Sequence, residues 1–204
     1  FQHIPEPGSV DLFCDMSSDI LSRPVPVERF AYIYAGAQKN MGPAGVTVLI
    51  LRKDLLDRCG DSLPEVMNYR LVASKNSMLN TPPVFPIYMV GLVARHLLEL
   101  GGLETAASRN MDKAESLYRA IDESGGFYRG HADHGSRSQM NVTFCLPDEG
   151  MEARFVAGAI EAGMAGLKGH RSVGGLRASL YNAVELASVE KLISFMKDFK
   201  RRNG

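Results

Sequence analysis

The segment Ala35-Gly36-Ala37-Gln38-Lys39-Asn40 sets a single lysine among small residues, between two apolar runs with strand character. Phe30-Ala31-Tyr32-Ile33-Tyr34 precedes it, aromatic and β-branched. Val46-Thr47-Val48-Leu49-Ile50-Leu51 follows, a run of the kind found in strands buried on both faces. Lys39 is therefore expected at a strand's end, its amine held against a sheet. Ala35, Gly36, Ala37, Gly42, Ala44 and Gly45 would let backbone and a flat ligand approach closely, where an ordinary turn needs fewer small residues. A solvated turn lysine has the same spacing and stays open as the alternative.

A carboxylate stands upstream in a matching position. Val10-Asp11-Leu12-Phe13-Cys14-Asp15 reads as a short strand ending in an acid, and Ser17-Ser18-Asp19 follows as a polar loop. Alone, Asp15 could equally be a loop or cap residue. A strand-end acid followed by a strand-end lysine is what a pyridoxal phosphate site requires: an amine to form the Schiff base and a carboxylate to keep the pyridine nitrogen protonated.

Other polar groups are candidates for binding anions. His170, Arg171 and Arg177 gather near Gly174-Gly175, which lets the backbone fold back. Two guanidinium forks there could hold two anions through paired hydrogen bonds that lysine cannot reproduce; a solvated turn is the alternative. Asn80 and Thr81 offer an amide and a hydroxyl where Thr81-Pro82-Pro83 opens a helix, a suitable anion cradle, although a cap role alone would explain Thr81. His131-Ala132-Asp133-His134 could pair as metal ligands, but no third ligand stands at fixed spacing, so it is read as a solvated loop and no metal is expected. The stretch 158–163 lacks the Lys-Ser/Thr of a phosphate-binding loop, and no Gly-x-Gly-x-x-Gly follows a strand, so nucleotide binding has no support.

A chain of 204 residues at 45% hydrophobic and 23% charged is long enough for a packed core. Lys plus Arg equals Asp plus Glu at 23 each, so no global field favours nucleic acid or an anionic membrane. No apolar run approaches the roughly 20 residues that cross a bilayer, and a soluble protein is expected. Cys14, Cys59 and Cys145 form no C-x-x-C pair, and two lie in strand-like runs where burial is expected. That usage fits a reducing, cytoplasmic compartment. The chain opens on Phe1 with no signal pattern before Val10, and is expected to begin mid-domain.

The elements that must position these groups follow from periodicity. Helical spacing runs from Thr81-Pro82-Pro83 to a stop at Gly101-Gly102, where a domain boundary is placed, and from 103 to 124 before Gly125-Gly126. Beyond lie strand-like runs at 127–129 and 140–146, a helix over 151–167, an extended stretch over 176–181 and a helix over 188–200. The order describes a small α+β domain.

Four ordered motifs carry a resemblance: Asp15-Met16-Ser17-Ser18-Asp19-Ile20-Leu21-Ser22-Arg23-Pro24, residues 33–45 around Lys39, Asn80-Thr81-Pro82-Pro83, and residues 169–183 around His170, Arg171 and Arg177. Together they resemble the phosphoserine aminotransferases. The resemblance implies an α/β, fold type I architecture. Residues 1–100 would form the C-terminal portion of the cofactor-binding large domain, a mostly parallel sheet with helices, and 101–204 the small C-terminal domain. It implies pyridoxal phosphate as cofactor, and a cytoplasmic homodimer that interconverts O-phospho-L-serine and 2-oxoglutarate with 3-phosphohydroxypyruvate and L-glutamate in serine biosynthesis. Lys39 would hold the cofactor and move the substrate α-proton, Asp15 would face the ring nitrogen, and Gln38 would contact phosphate or ring. Asn80 and Thr81 would reach the neighbouring subunit's cofactor phosphate, His170 and Arg171 the substrate phosphate, and Arg177 its carboxylate. Leu176 would be an apolar position without chemical consequence. The resemblance also implies that an N-terminal part, with the main phosphate-binding turn and the aromatic residue that stacks on the ring, is absent. A non-catalytic fragment, or an enzyme preferring another phosphorylated amino acid such as phosphohydroxythreonine, remains the alternative.

Overall fold

The computed structural model describes residues 3–204. The chain divides into two compact units, Pro5–Leu100 and, in the main, Gly101–Gly204.

In the first unit β1 (Phe13–Asp15) runs parallel to β2 (Tyr32–Gly36), which pairs antiparallel with β3 (Thr47–Leu51) in the order β1-β2-β3. Alternation along β2 buries Ile33 and Ala35 on one face, and Ala31, Ala37, Met16 and Met41 join them. The expectation that 46–51 is buried on both faces is not met in this chain: Thr47 and Ile50 are exposed and the remainder half-buried, and among the described residues β3 pairs with β2 alone. Two short helices, α1 (Asp54–Asp57) and α2 (Tyr69–Ser74), lead to α3 (Val84–Glu99). Pro83, not Thr81, occupies the cap position of α3, with no side-chain cap. Consecutive prolines disfavour helical backbone in the residue before each, so the helix starts only after both are passed.

The second unit packs α4 (Gly102–Asp122) against α6 (Leu186–Asn203) and carries an antiparallel sheet of β4 (Arg129–Gly130), β5 (Asn141–Cys145) and β6 (Leu176–Ser179). Between β5 and β6 lies α5 (Glu149–Glu161), capped by Asp148, whose carboxylate accepts from the Met151 N–H at 2.8 Å. Val142, Phe144, Leu176 and Ala178 turn one sheet face into a core built around Phe155, which is 0% exposed and meets Tyr128, Phe144, Phe195 and Phe199 edge-on. Leu176, at 1% exposure, is thus a core anchor for the strand that bears Arg177. The helix expected to reach residue 167 stops at Glu161. Gly163, at φ +78°, takes the left-handed turn that ends it, and Leu167 enters the core from the connection. On α4, Lys113 is only 3% exposed, and its ammonium donates to the carbonyls of Leu180, Tyr181 and Val184 at 2.9–3.0 Å. It thereby fixes the segment between β6 and α6. The cysteines expected to be buried are half-buried and unbridged.

Candidate active site

The end of β1 is fastened to β2 by the turn that follows it. Asp15 lies opposite Tyr34 in the parallel register, and the next amide, Met16 N–H, donates to the Tyr34 carbonyl at 2.8 Å. The chain then curls, with Ile20 N–H on the Met16 carbonyl at 2.7 Å. Inside that curl the Ser17 N–H donates to Asp15 Oδ1 at 2.8 Å, while the Ser17 hydroxyl accepts from Gly36 N–H at 3.0 Å. The Asp15 carboxyl is held below the usual carboxylate range. The hydroxyl of Ser17 contributes most, its backbone N–H, the Tyr34 hydroxyl and the charge of Lys39 follow, and partial desolvation opposes them. Reciprocally, the Asp15 carboxylate pushes the Tyr34 phenol up.

β2 ends at Gly36, and residues 37–42 form a turn in which Met41 N–H and Gly42 N–H both reach the Ala37 carbonyl. Ala37, Asn40 and Met41 are buried, and the Asn40 amide donates to the Ile20 carbonyl at 3.0 Å, tying this turn to the one after β1. Between those anchors Gln38 and Lys39 point outward. Lys39 Nζ donates to Ser18 Oγ at 2.8 Å, and Gln38 folds back over Gly36 so closely that a side chain there would displace it. Lys39 is therefore at a strand's end, as the spacing implies, but exposed rather than pressed on the sheet. The structure gathers Asp15, Ser17, Ser18, Tyr34 and Lys39 around two adjoining turns. Asn80 and Thr81 stand exposed before α3, where the Asn80 amide donates to the Thr81 carbonyl at 3.0 Å, outside that network.

The remaining candidates belong to the second unit. Arg177 sits mid-strand in β6 opposite Thr143, and its N–H donates to the Leu167 carbonyl at 2.8 Å. Its side chain is half-buried and its Nε is buried without a hydrogen-bond partner, an orphaned donor suited to an incoming anion. Ahead of the strand, residues 169–175 form a pinched loop: Gly169 N–H reaches the Gly175 carbonyl at 2.9 Å and Gly174 N–H the His170 carbonyl at 2.8 Å. A Cβ on Gly169 would collide with the Gly174 carbonyl. His170 and Arg171 stand exposed on this loop, with His170 Nδ1 2.7 Å from the Ser172 hydroxyl. In the neighbouring 131–134 stretch His131, Asp133 and His134 are exposed, and the His131 ring lies near Gly175.

The two serines and Tyr34 are the residues that sequence reasoning missed. Their signal was adjacency: Ser17 and Ser18 directly follow the acid, and Tyr34 precedes the small-residue segment on the same strand.

Comparison with known proteins supplies the family. The model of aminotransferase class V matches residues 4–192. The chain belongs to the class-V aminotransferases. It is 60% identical over 193 residues to the phosphoserine aminotransferase of Geobacillus kaustophilus, covering 95% of this chain and 54% of that protein. The solved phosphoserine aminotransferase of Bacillus circulans subsp. alkalophilus superposes with a TM-score of 0.97 at 53% identity, covering 100% of this chain and 56% of the other. The pyridoxal phosphate-bound phosphoserine aminotransferase of Trichomonas vaginalis gives 0.91 at 40% identity, covering 97% and 56%. The aminotransferase fold is thus shown, and the chain spans about half the length of the relatives it matches.

Proposed function

We propose that this chain serves as the C-terminal portion of a pyridoxal phosphate-dependent phosphoserine aminotransferase, exchanging the amino group between O-phospho-L-serine and 2-oxoglutarate. In this reading Pro5–Leu100 contributes to the cofactor-binding domain, Gly101–Gly204 is the small domain, and the working enzyme is a cytoplasmic homodimer. The observation that carries it is the pairing, through two adjoining turns, of a carboxylate held ionised with an accessible primary amine. Those groups fit the cofactor, and the orphaned Arg177 Nε fits a substrate anion.

When bound, pyridoxal phosphate supplies an electron sink for the pair released as the substrate α-proton leaves. Asp15, kept ionised by Ser17 and Tyr34, holds a proton on the ring nitrogen. Lys39 Nζ is the point of attachment and, once released, the base that removes and returns the α-proton. Gln38 contacts the cofactor from beside Lys39, while Asn80 and Thr81 serve the neighbouring subunit's cofactor phosphate. Arg177 takes the α-carboxylate, and His170 with Arg171 the phosphate, which is the group that separates phosphoserine from glutamate. Balanced charge argues for small-molecule partners rather than nucleic acid. Among the described residues no single helix is long and apolar enough to cross a membrane.

The test is Lys39→Ala in a polypeptide completed to the relatives' length. Transamination of phosphoserine is expected to vanish while the circular-dichroism spectrum stays unchanged, because Lys39 is exposed and packs into no core. Substantial turnover by that variant would overturn the proposal, and the ratio of turnover on phosphoserine to that on phosphohydroxythreonine reads substrate preference.

A further inference from the structure

Around the candidate acid and amine, two adjacent hydroxyls perform different tasks. Ser17 is spent on Asp15 and on Gly36 N–H, whereas Ser18, one residue on, faces Lys39 and accepts from its Nζ at 2.8 Å. The amine otherwise sits on a flexible four-carbon stem at an exposed position, where side-chain entropy spreads it over many rotamers. The segment bearing Ser18 does not share that freedom: Met16 N–H binds it to β2, the Asn40 amide binds it to the turn after β2, and Ile20 N–H closes it on the Met16 carbonyl. Ser22 closes the same curl, its hydroxyl donating to the Asp19 carbonyl at 2.6 Å.

We propose that Ser18 is a positioning residue for Lys39, a fixed acceptor that keeps the unattached amine beside the Asp15 turn so that it meets an incoming aldehyde in one orientation. The inference rests on the reading of Lys39 as the cofactor lysine. An acceptor on a braced turn limits the volume that the Nζ explores, so the neutral amine attacks a bound aldehyde more often than a free one would, water leaving as the carbon–nitrogen bond forms. The hydroxyl, not the bulk of the side chain, is what performs the task, and threonine retains it.

The experiment uses the polypeptide completed to the relatives' length, with pyridoxal phosphate as probe. Borohydride reduction followed by peptide mass spectrometry reads the rate of covalent trapping at Lys39, and a small acylating reagent reads its plain accessibility. Ser18→Ala is expected to slow trapping at Lys39 severalfold while acylation stays within twofold, and Ser18→Thr to restore the trapping rate. A residue that served only folding would move both readouts together. Equal trapping in Ser18→Ala and the parent chain would overturn the inference, as would a loss that Ser18→Thr does not rescue. If the parent chain traps pyridoxal phosphate only at other lysines, the assignment of Lys39 fails first and this inference with it.

Discussion

The Gly101–Gly204 unit closes on itself, with Phe155, Phe144, Leu117, Ile121 and Met196 all within 1% of full burial. The Pro5–Leu100 unit instead leaves Phe13 59% exposed and turns Tyr34, Ile50, Val84, Phe85 and Tyr88 to solvent, while α3 buries none of its residues. The difference bears on how each unit holds its chemistry. Arg177 is positioned by a strand whose neighbours Leu176 and Ala178 are pinned in a packed core, so its geometry inherits core stability. Asp15 and Lys39 are positioned by hydrogen bonds within and between turns, which contribute about 1 kcal/mol each and break singly. One half of the candidate machinery is set by packing and the other by a polar network.

The sharpest way to break that contrast is a pair of phenylalanine truncations. Phe155→Ala should cost about 3–5 kcal/mol, through lost burial and the cavity left among four rings. Phe13→Ala, at a largely exposed site, should cost under about 1 kcal/mol. Urea unfolding, with hydrogen exchange of the β5 and β6 amides read separately from those of β1 and β2, checks both. Equal costs would mean that the first unit has a hidden core.

Next in size are the two arginines. Arg177→Lys should lower kcat/KM roughly tenfold or more for phosphoserine and glutamate alike, since both carry an α-carboxylate and lysine cannot form the fork. Arg171→Lys should weaken phosphoserine selectively. Steady-state kinetics on both substrates, in the completed polypeptide, decides it; parallel losses would show that the anion roles are misassigned.

A smaller effect comes from Lys113, the buried cation of the closed unit. Burial pushes its pKa down to about 8 from 10.5, while the three carbonyls it serves favour the charged form. Between those values the folded chain binds fewer protons than the unfolded one, so this group makes stability rise with pH across the window and fall as pH drops through 8. Urea midpoints measured from pH 7 to 10 should carry that slope in the parent chain and lose it in Lys113→Met.

Much of this architecture was legible because it depends on local pattern. Alternation in Val142, Thr143 and Phe144 gives β5, and the glycine stops after α4 follow from left-handed backbone that other residues avoid. Pairing partners were not legible, and the correction at β3 traces to them. Val46 to Leu51 is apolar enough for a central strand, yet among the described residues it pairs on one side only. The 151–167 stretch keeps helical composition past Glu161, yet Leu167 is claimed by the core and Lys168 by a bridge to Leu176. In the candidate site the ionisable residues stood out by type, whereas Ser17, Ser18 and Tyr34 gain meaning only from the register that sets Asp15 beside Tyr34. A hydroxyl in a turn is commonplace in sequence and specific only in three dimensions.

The pinch at the base of the 169–175 loop has a practical consequence for redesign. Because the Gly169 position has no room for even a methyl group against the Gly174 carbonyl, the hinge of this loop is closed to variation. Under the proposed assignment of His170 and Arg171 to a substrate phosphate, retuning of selectivity would come from the apex, where Arg171, Ser172 and Val173 are open to solvent. The loop therefore behaves as an interchangeable tip on a fixed mount, and libraries confined to the tip are the economical route to altered selectivity.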